Sequence, residues 1–117
     1  MLLAHGTREV EASKPVHEYA KALAEQTGMK VVPCLREFIE PSVPTVVGNM
    51  VKEGYEKILV LPFFLFNSGH VTRDITNDLD AEKKKYPHLV FVVGQHIGFD
   101  SSMVKLLKKR LEEIQFK

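Results

Sequence analysis

Residues 57–75 read KILVLPFFLFNSGHVTRDI, and this stretch decides the fold. Ile58 to Phe66 form an unbroken apolar run with no polar alternation. Such a run is expected of a strand covered on both faces, as in a parallel sheet sandwiched between helices. It ends abruptly at Asn67, Ser68, Gly69 and His70, followed by Arg73 and Asp74. A strand made for a dry core thus delivers small and ionisable residues at its carboxyl end.

Working outward, the same alternation recurs. MLLA (1–4) is a very short apolar stretch that stops at His5 and Gly6. Val16, Tyr19, Ala20, Leu23 and Ala24 repeat at helical spacing, with Ser13 expected as the cap and Gly28 as the stop. KVVPCLRE (30–37) reads as a strand, and Pro33, which cannot donate to a ladder, puts it at an edge. Ser42 caps a second helix, Pro44 fits its first turn, Val43, Val46, Val47, Met50 and Val51 face inward, and Gly54 ends it. A third helix is expected from about Val71 to Lys85, before Pro87. LVFVVG (89–94) reads as a fourth buried strand. Asp100 or Ser101 caps a last helix, whose Met103, Val104, Leu106, Leu107, Leu111 and Ile114 form one stripe.

The order βαβαβαβα with short connections predicts an α/β fold of the flavodoxin-like kind. Its sheet is four-stranded and parallel, in the order 2-1-3-4, with helices on both faces. One domain fills residues 1–117, since a chain of this length builds one core and not two. In such sheets a ligand sits beyond the carboxyl ends of the strands, where the strand order reverses. Here that point lies between the first and third strands, which end near His5 and His70.

Composition narrows the function. A net charge of +1 leaves no footprint for nucleic acid or an anionic membrane, and the lysines near the C-terminus alternate with leucines as on a solvated helix face. The longest apolar run is about half the ~20 residues that span a bilayer. The N-terminus carries no basic segment followed by a long apolar one, so no signal peptide is read. The single cysteine, Cys34, forms no internal disulfide and fits a reducing compartment, so a cytoplasmic protein is expected. Neither G-x-G-x-x-G nor G-x-x-x-x-G-K-[ST] is present, and NSGH does not fit the G-x-S-x-G elbow.

Three polar groups remain at three strand ends: His5, Glu37 and His70. Two imidazoles and a carboxylate suit a divalent transition metal with coordination positions left open. Each also has a plainer role. His5 fits a turn histidine, Glu37 a partner of Arg36 or Arg8, and His70 a cap of the third helix. The coincidence of all three at one rim favours the metal. His17, His88 and Cys34 read as structural or surface residues, and His96 lies near enough to the rim to be kept as an outside candidate.

These stretches resemble the class II tetrapyrrole chelatases, the small CbiX-type sirohydrochlorin cobaltochelatases. LLAHGTR (2–8), LREFIEPSVP (35–44), LVLPFFLFNSGHVTRDI (59–75) and GQHIGFD (94–100) follow the family's motifs in order and across nearly the whole chain. The resemblance implies that His5 and His70 hold the incoming metal and accept pyrrole protons. It implies that Glu37 helps with one or the other. The reaction would insert cobalt, or else nickel or iron, into sirohydrochlorin and release two protons without ATP, with no permanently bound cofactor. A metal or tetrapyrrole carrier with the same ligands is the alternative. Arg8, Arg73 and the helix start at Asn67, Ser68, Gly69, Val71 and Thr72 would take the carboxylates of the macrocycle. A homodimer, like that of the small archaeal-type forms, is implied by the family alone. Only four residues precede His5, fewer than the family's usual first strand, so the chain is read as starting late or shortened.

Overall fold

The computed structural model describes residues 1–66 and 68–115. Its elements alternate along the chain: β1 (Leu2–Ala4), α1 (Val10–Thr27), β2 (Pro33–Leu35), α2 (Val43–Lys52), β3 (Lys57–Pro62), α3 (Gly69–Lys85), β4 (Val90–Val93) and α4 (Ser101–Gln115). The strands form one sheet in the expected order β2-β1-β3-β4, parallel at every pairing. Pro33 opens β2, which lies at the edge of the sheet, where its missing N–H costs least.

Two apolar layers flank the sheet. On one side Leu3, Cys34, Ile58 and Val60 pack with Val43, Val46, Val47 and Met50 of α2 and with Ile75 and Leu79 of α3. On the other, Leu2, Ala4 and Leu35 meet Val16 and Ala20 of α1. Successive residues of a strand point to opposite faces, so neighbours such as Leu2 and Leu3 serve different layers.

The central strand departs from expectation. Along β3 burial alternates: Ile58, Val60 and Pro62 are buried, while Leu59 and Leu61 are 44% and 42% exposed. Nor is β4 a buried strand, since Val90 and Val92 lie half exposed. The run is apolar on both faces but covered on one. α1 lies over β1 and β2, whereas α4, the helix that would shield β3 and β4, buries none of its residues. The molecule measures 54 × 32 × 28 Å, and its radius of gyration of 15.7 Å exceeds the roughly 13 Å expected of a rounded chain this long.

Helix ends follow local chemistry with two corrections. The Ser42 hydroxyl accepts the Thr45 N–H, with Pro44 in the first turn of α2, and the Gly28 N–H closes α1 on Ala24 at φ +69. Ser13 does not cap α1. The helix begins at Val10, and Ser13 lies buried inside it, donating to the Val10 carbonyl at 2.6 Å. α3 begins two residues before Val71, because Ser68 caps it by accepting the Val71 N–H at 3.2 Å. Asp100 starts α4, its Oδ1 accepting the Ser102 N–H at 2.8 Å.

Candidate metal and tetrapyrrole site

The rim is built where three parallel strands end. Past β1 and β2 the ladder continues: Arg36 N–H donates to the Ala4 carbonyl at 2.9 Å and Glu37 N–H to the His5 carbonyl at 2.8 Å. Backbone bonding alone therefore holds Glu37 beside His5. Gly6 makes the approach feasible. Its φ is +106°, and a Cβ there would lie 2.1 Å from the Glu37 carbonyl oxygen. The segment after Glu37 folds back so that the Leu35 N–H donates to the Pro41 carbonyl at 2.8 Å. At the turn Phe38 takes φ +79°, an uncommon conformation for a residue with a side chain, and is 58% exposed.

β3 brings the third component. Phe63 N–H donates to the Leu3 carbonyl at 2.7 Å, which aligns the loop after β3 with the end of β1. Phe64 is buried there and meets the exposed His5 ring edge-on, centroids 4.6 Å apart. His70 lies in the first turn of α3, its side chain 79% exposed and Nε2 3.2 Å from Asp74 Oδ2. Since Ser68 makes the cap, the helix-capping role that competed for His70 is already filled.

Arg36 ties the halves together. Its Nη1 donates to Glu37 Oε1 at 2.7 Å, its Nε lies 2.9 Å from Asp78 Oδ2, and its Nη2 lies 3.7 Å from Asp74 Oδ2. The Asp78 contact is an ion pair more than an aligned hydrogen bond, since Nε has no partner that meets hydrogen-bond geometry. Burial pulls the Arg36 guanidinium downward, but Asp78, the Glu37 hydrogen bond and Asp74 outweigh it and raise its pKa. A continuous chain of polar contacts thus runs His70–Asp74–Arg36–Glu37, with His5 held to Glu37 through the backbone.

Other expected residues fall around this rim. The exposed Arg8 guanidinium stacks over the Phe38 ring at 4.7 Å. Ser68, Gly69, Thr72 and Arg73 are exposed at the start of α3, whereas the Val71 side chain packs partly into the core. The Val71 and Thr72 N–H groups are already bonded to Ser68, so neither is free for an anion. Asn67 lies outside the described residues. Among the described residues no three His, Cys, Asp or Glu side chains form a group that could hold a metal ion. Sequence reasoning missed the Arg36 hub and Asp78, although His70, Asp74 and Asp78 at successive fourth positions share one face of α3. It also missed the rings of Phe38 and Phe66, which are exposed, as is that of Phe99.

Fold and site together define a class: a doubly wound α/β domain with imidazoles and carboxylates gathered at the switch point of its sheet. The CbiX family model matches residues 1–114, and the chain belongs to that family. It is 30% identical to a sirohydrochlorin cobaltochelatase of Priestia megaterium, over 97% of this chain and 37% of that protein. It is 26% identical to the chloroplastic sirohydrochlorin ferrochelatase of Arabidopsis thaliana, over 96% and 50%. The chain therefore spans half or less of the length of these two relatives. Against a sirohydrochlorin cobaltochelatase of Sulfolobus acidocaldarius the identity is 27%, over 97% and 89%. Among solved structures, Bacillus subtilis SirB in complex with cobalt superposes with a TM-score of 0.87 at 25% identity, covering 97% of this chain and 49% of that one. A CbiX protein of Marinobacter aquaeolei VT8 superposes at 0.83 with 21% identity, over 99% and 96%, which speaks for the fold alone.

Proposed function

We propose that this protein inserts a divalent metal into sirohydrochlorin, without ATP and with release of two protons. The observation that carries the reading is the rim of a CbiX-family domain on which His5 and Glu37 stand just past the adjoining ends of β1 and β2 and His70 stands in the first turn of α3, after β3. Cobalt is the metal we assign. Relatives named for cobalt and for iron stand at similar identity, so iron and nickel remain its competitors.

The chemistry asks for weak, open ligation. Macrocycle N–H groups are very weak acids, and partial coordination to the metal makes them more acidic, so that a nearby imidazole can take the proton. His5 and His70 are exposed and suited to both tasks. Asp74 engages His70 Nε2 and orients the ring, leaving Nδ1 for metal or proton. Glu37, held by Arg36, supplies the carboxylate. Ligands spread along a rim hold the metal loosely enough to release it, which suits an enzyme better than a carrier. Arg8 and Arg73, with the Gly69 end of α3, would receive substrate carboxylates, and Phe38, Phe66 and Phe99 offer faces to a flat ring. Cys34 as a free thiol accords with a cytoplasmic setting, and we take the working form to be a homodimer.

The test is the absorbance change of sirohydrochlorin mixed with cobalt, nickel or ferrous ion, with and without protein. His5→Ala and His70→Ala should each slow insertion by about 10²-fold or more, the usual loss for a general base, with unchanged circular dichroism. Insertion no faster than the uncatalysed reaction would sink the enzyme assignment, and with metal still bound it would leave the carrier.

A further inference from the structure

A single guanidinium stands between the two halves of the rim. Arg36 directly follows β2, and its side chain is only 16% exposed. Glu37 meets it from its own strand end, and Asp74 and Asp78 meet it from α3. The two aspartates lie four residues apart, with His70 four residues before Asp74, so all three share one helix face. Ion pairs of Nε with Asp78 at 2.9 Å and of Nη2 with Asp74 at 3.7 Å hold the head of Arg36 against α3. Nη1 then reaches Glu37 Oε1 at 2.7 Å. Asp74 Oδ2, which faces Nη2, also faces His70 Nε2 at 3.2 Å. The charge of an arginine is permanent at any working pH. A fixed positive charge thus touches one residue assigned to the metal and lies one carboxylate away from another.

A divalent cation and this guanidinium ask for the same oxygen. Glu37 cannot give Oε1 wholly to a metal while it accepts the Nη1 hydrogen bond. Like charges a few ångströms apart in a partly buried site also repel, and water screens that repulsion only in part. The anchoring decides how far this matters. A basic side chain loose in solvent swings away from an arriving cation, whereas a head gripped by Asp74 and Asp78 stays beside Glu37. Arg36 therefore raises the free energy of the bound metal as well as orienting its carboxylate ligand. That suits a site whose metal must be passed on to a macrocycle.

We propose that Arg36 is a positioning residue that keeps metal binding weak: its guanidinium, anchored on Asp74 and Asp78, competes with the divalent metal for the Glu37 carboxylate and takes it back as the metal passes to the ring. The inference rests on the chelatase reading above. Only coordination and hydrogen bonds change: Glu37 exchanges the Nη1 donor for the metal on loading and reverses the exchange on release. Loss of the charge should therefore tighten metal binding and slow turnover together. An arginine that served only to hold Glu37 in place would act in the opposite sense on binding, because its loss would loosen the metal.

Calorimetric titration with cobalt alone, in the absence of sirohydrochlorin, reads the binding. Arg36→Met, close in length but neutral, should bind cobalt on the order of tenfold more tightly than wild type. In the insertion assay it should show a lower KM for cobalt together with a lower kcat. Arg36→Lys, which keeps the charge, should return both quantities toward wild type. Because Arg36→Met leaves Asp78 without its partner, Arg36→Met/Asp78→Asn is the companion variant, and it should change in the same sense. Circular dichroism shows which of them are folded. Unchanged cobalt affinity in a folded neutral variant overturns the proposal, since the metal then does not feel the guanidinium. Weaker affinity overturns it too, since Arg36 then only orders Glu37. Tighter binding with kcat at or above wild type does the same, because Arg36 then does nothing for release. A wild type that neither binds nor inserts cobalt sinks the chelatase reading and this inference with it. A wild type that does both while the variants fail the comparison leaves that reading standing.

Discussion

Gly6 is the residue on which the site's geometry turns. Its backbone lies at φ +106° against the Glu37 carbonyl, with no room for a Cβ. Gly6→Ala must therefore part the extended β1–β2 ladder and break the Glu37–His5 hydrogen bond. A loss of roughly 2 kcal/mol or more in urea denaturation is expected, with a further fall in metal insertion among the molecules still folded. A Gly6→Ala protein as stable as wild type would show that the rim yields more easily than its geometry implies. His5, Glu37 and His70 could be singled out as candidates in the sequence because each lies shortly after an apolar stretch. Arg36 could not be ranked that way, because its partners Asp74 and Asp78 come from a helix distant in sequence. Phe38 offered no signal either, since its exposure and positive φ follow from how the loop closes on Pro41.

At the scale of elements, α2 shows what local chemistry sets. Ser42 accepts the Thr45 N–H, and the Glu40 carboxylate accepts hydrogen bonds from the hydroxyls of Thr45 and Ser42 and from the Ser42 N–H. Ser42→Ala should cost about 1 kcal/mol at neutral pH, read from the urea midpoint. The Thr45 hydroxyl, followed by the Ser42 groups, holds the exposed Glu40 below its usual 4.5. A carboxylate depressed in the folded state contributes stability above its unfolded value and loses it as pH falls through the folded one. Below about pH 4.5 wild type should weaken more steeply than Glu40→Gln, and equal acid slopes would remove Glu40 from the cap. Ser42 was legible because a serine, a proline and an apolar stripe stand together. The start of α1 was not, because its first turn, Val10 to Ser13, precedes the apolar repeat that begins at Val16. Ser13 has the chemistry of a cap but spends its hydroxyl on Val10.

For the whole molecule, Cys34 reports on the core. It has no exposed surface, and burial pushes its thiol up to about 12 from the ordinary 9.0, against the N-terminal ammonium and with the help of Glu40 and Asp78. The unfolded chain gives up this proton first. Stability is therefore whole below pH 9 and declines between 9 and about 12, by up to about 1.4 kcal/mol per pH unit from this group alone. Cys34→Ala, at a constant cost for its smaller side chain, should show a shallower alkaline decline in thermal melts. Parallel pH profiles would contradict the burial. A thiol reagent should likewise label native protein far more slowly than protein in urea.

The same scale separates what each level of description decided. Alternation of apolar runs with helical repeats determined the element order, the parallel sheet and the 2-1-3-4 strand order, because short right-handed connections leave few other paths. It also made His5, Glu37 and His70 candidates for one rim, since a parallel sheet sends every carboxyl end to the same side; His5 and Glu37 lie just past β1 and β2, and His70 in the first turn of α3. Sequence by itself could not say which apolar faces are covered. An apolar run records that a side chain can be buried, and coverage depends on where the other elements lie. Only the tertiary structure shows Leu59, Leu61 and Val92 open on one face, α4 standing away from them, and Arg36 bridging two elements at the site. Those facts belong to distances between segments remote in the chain, which no local pattern encodes.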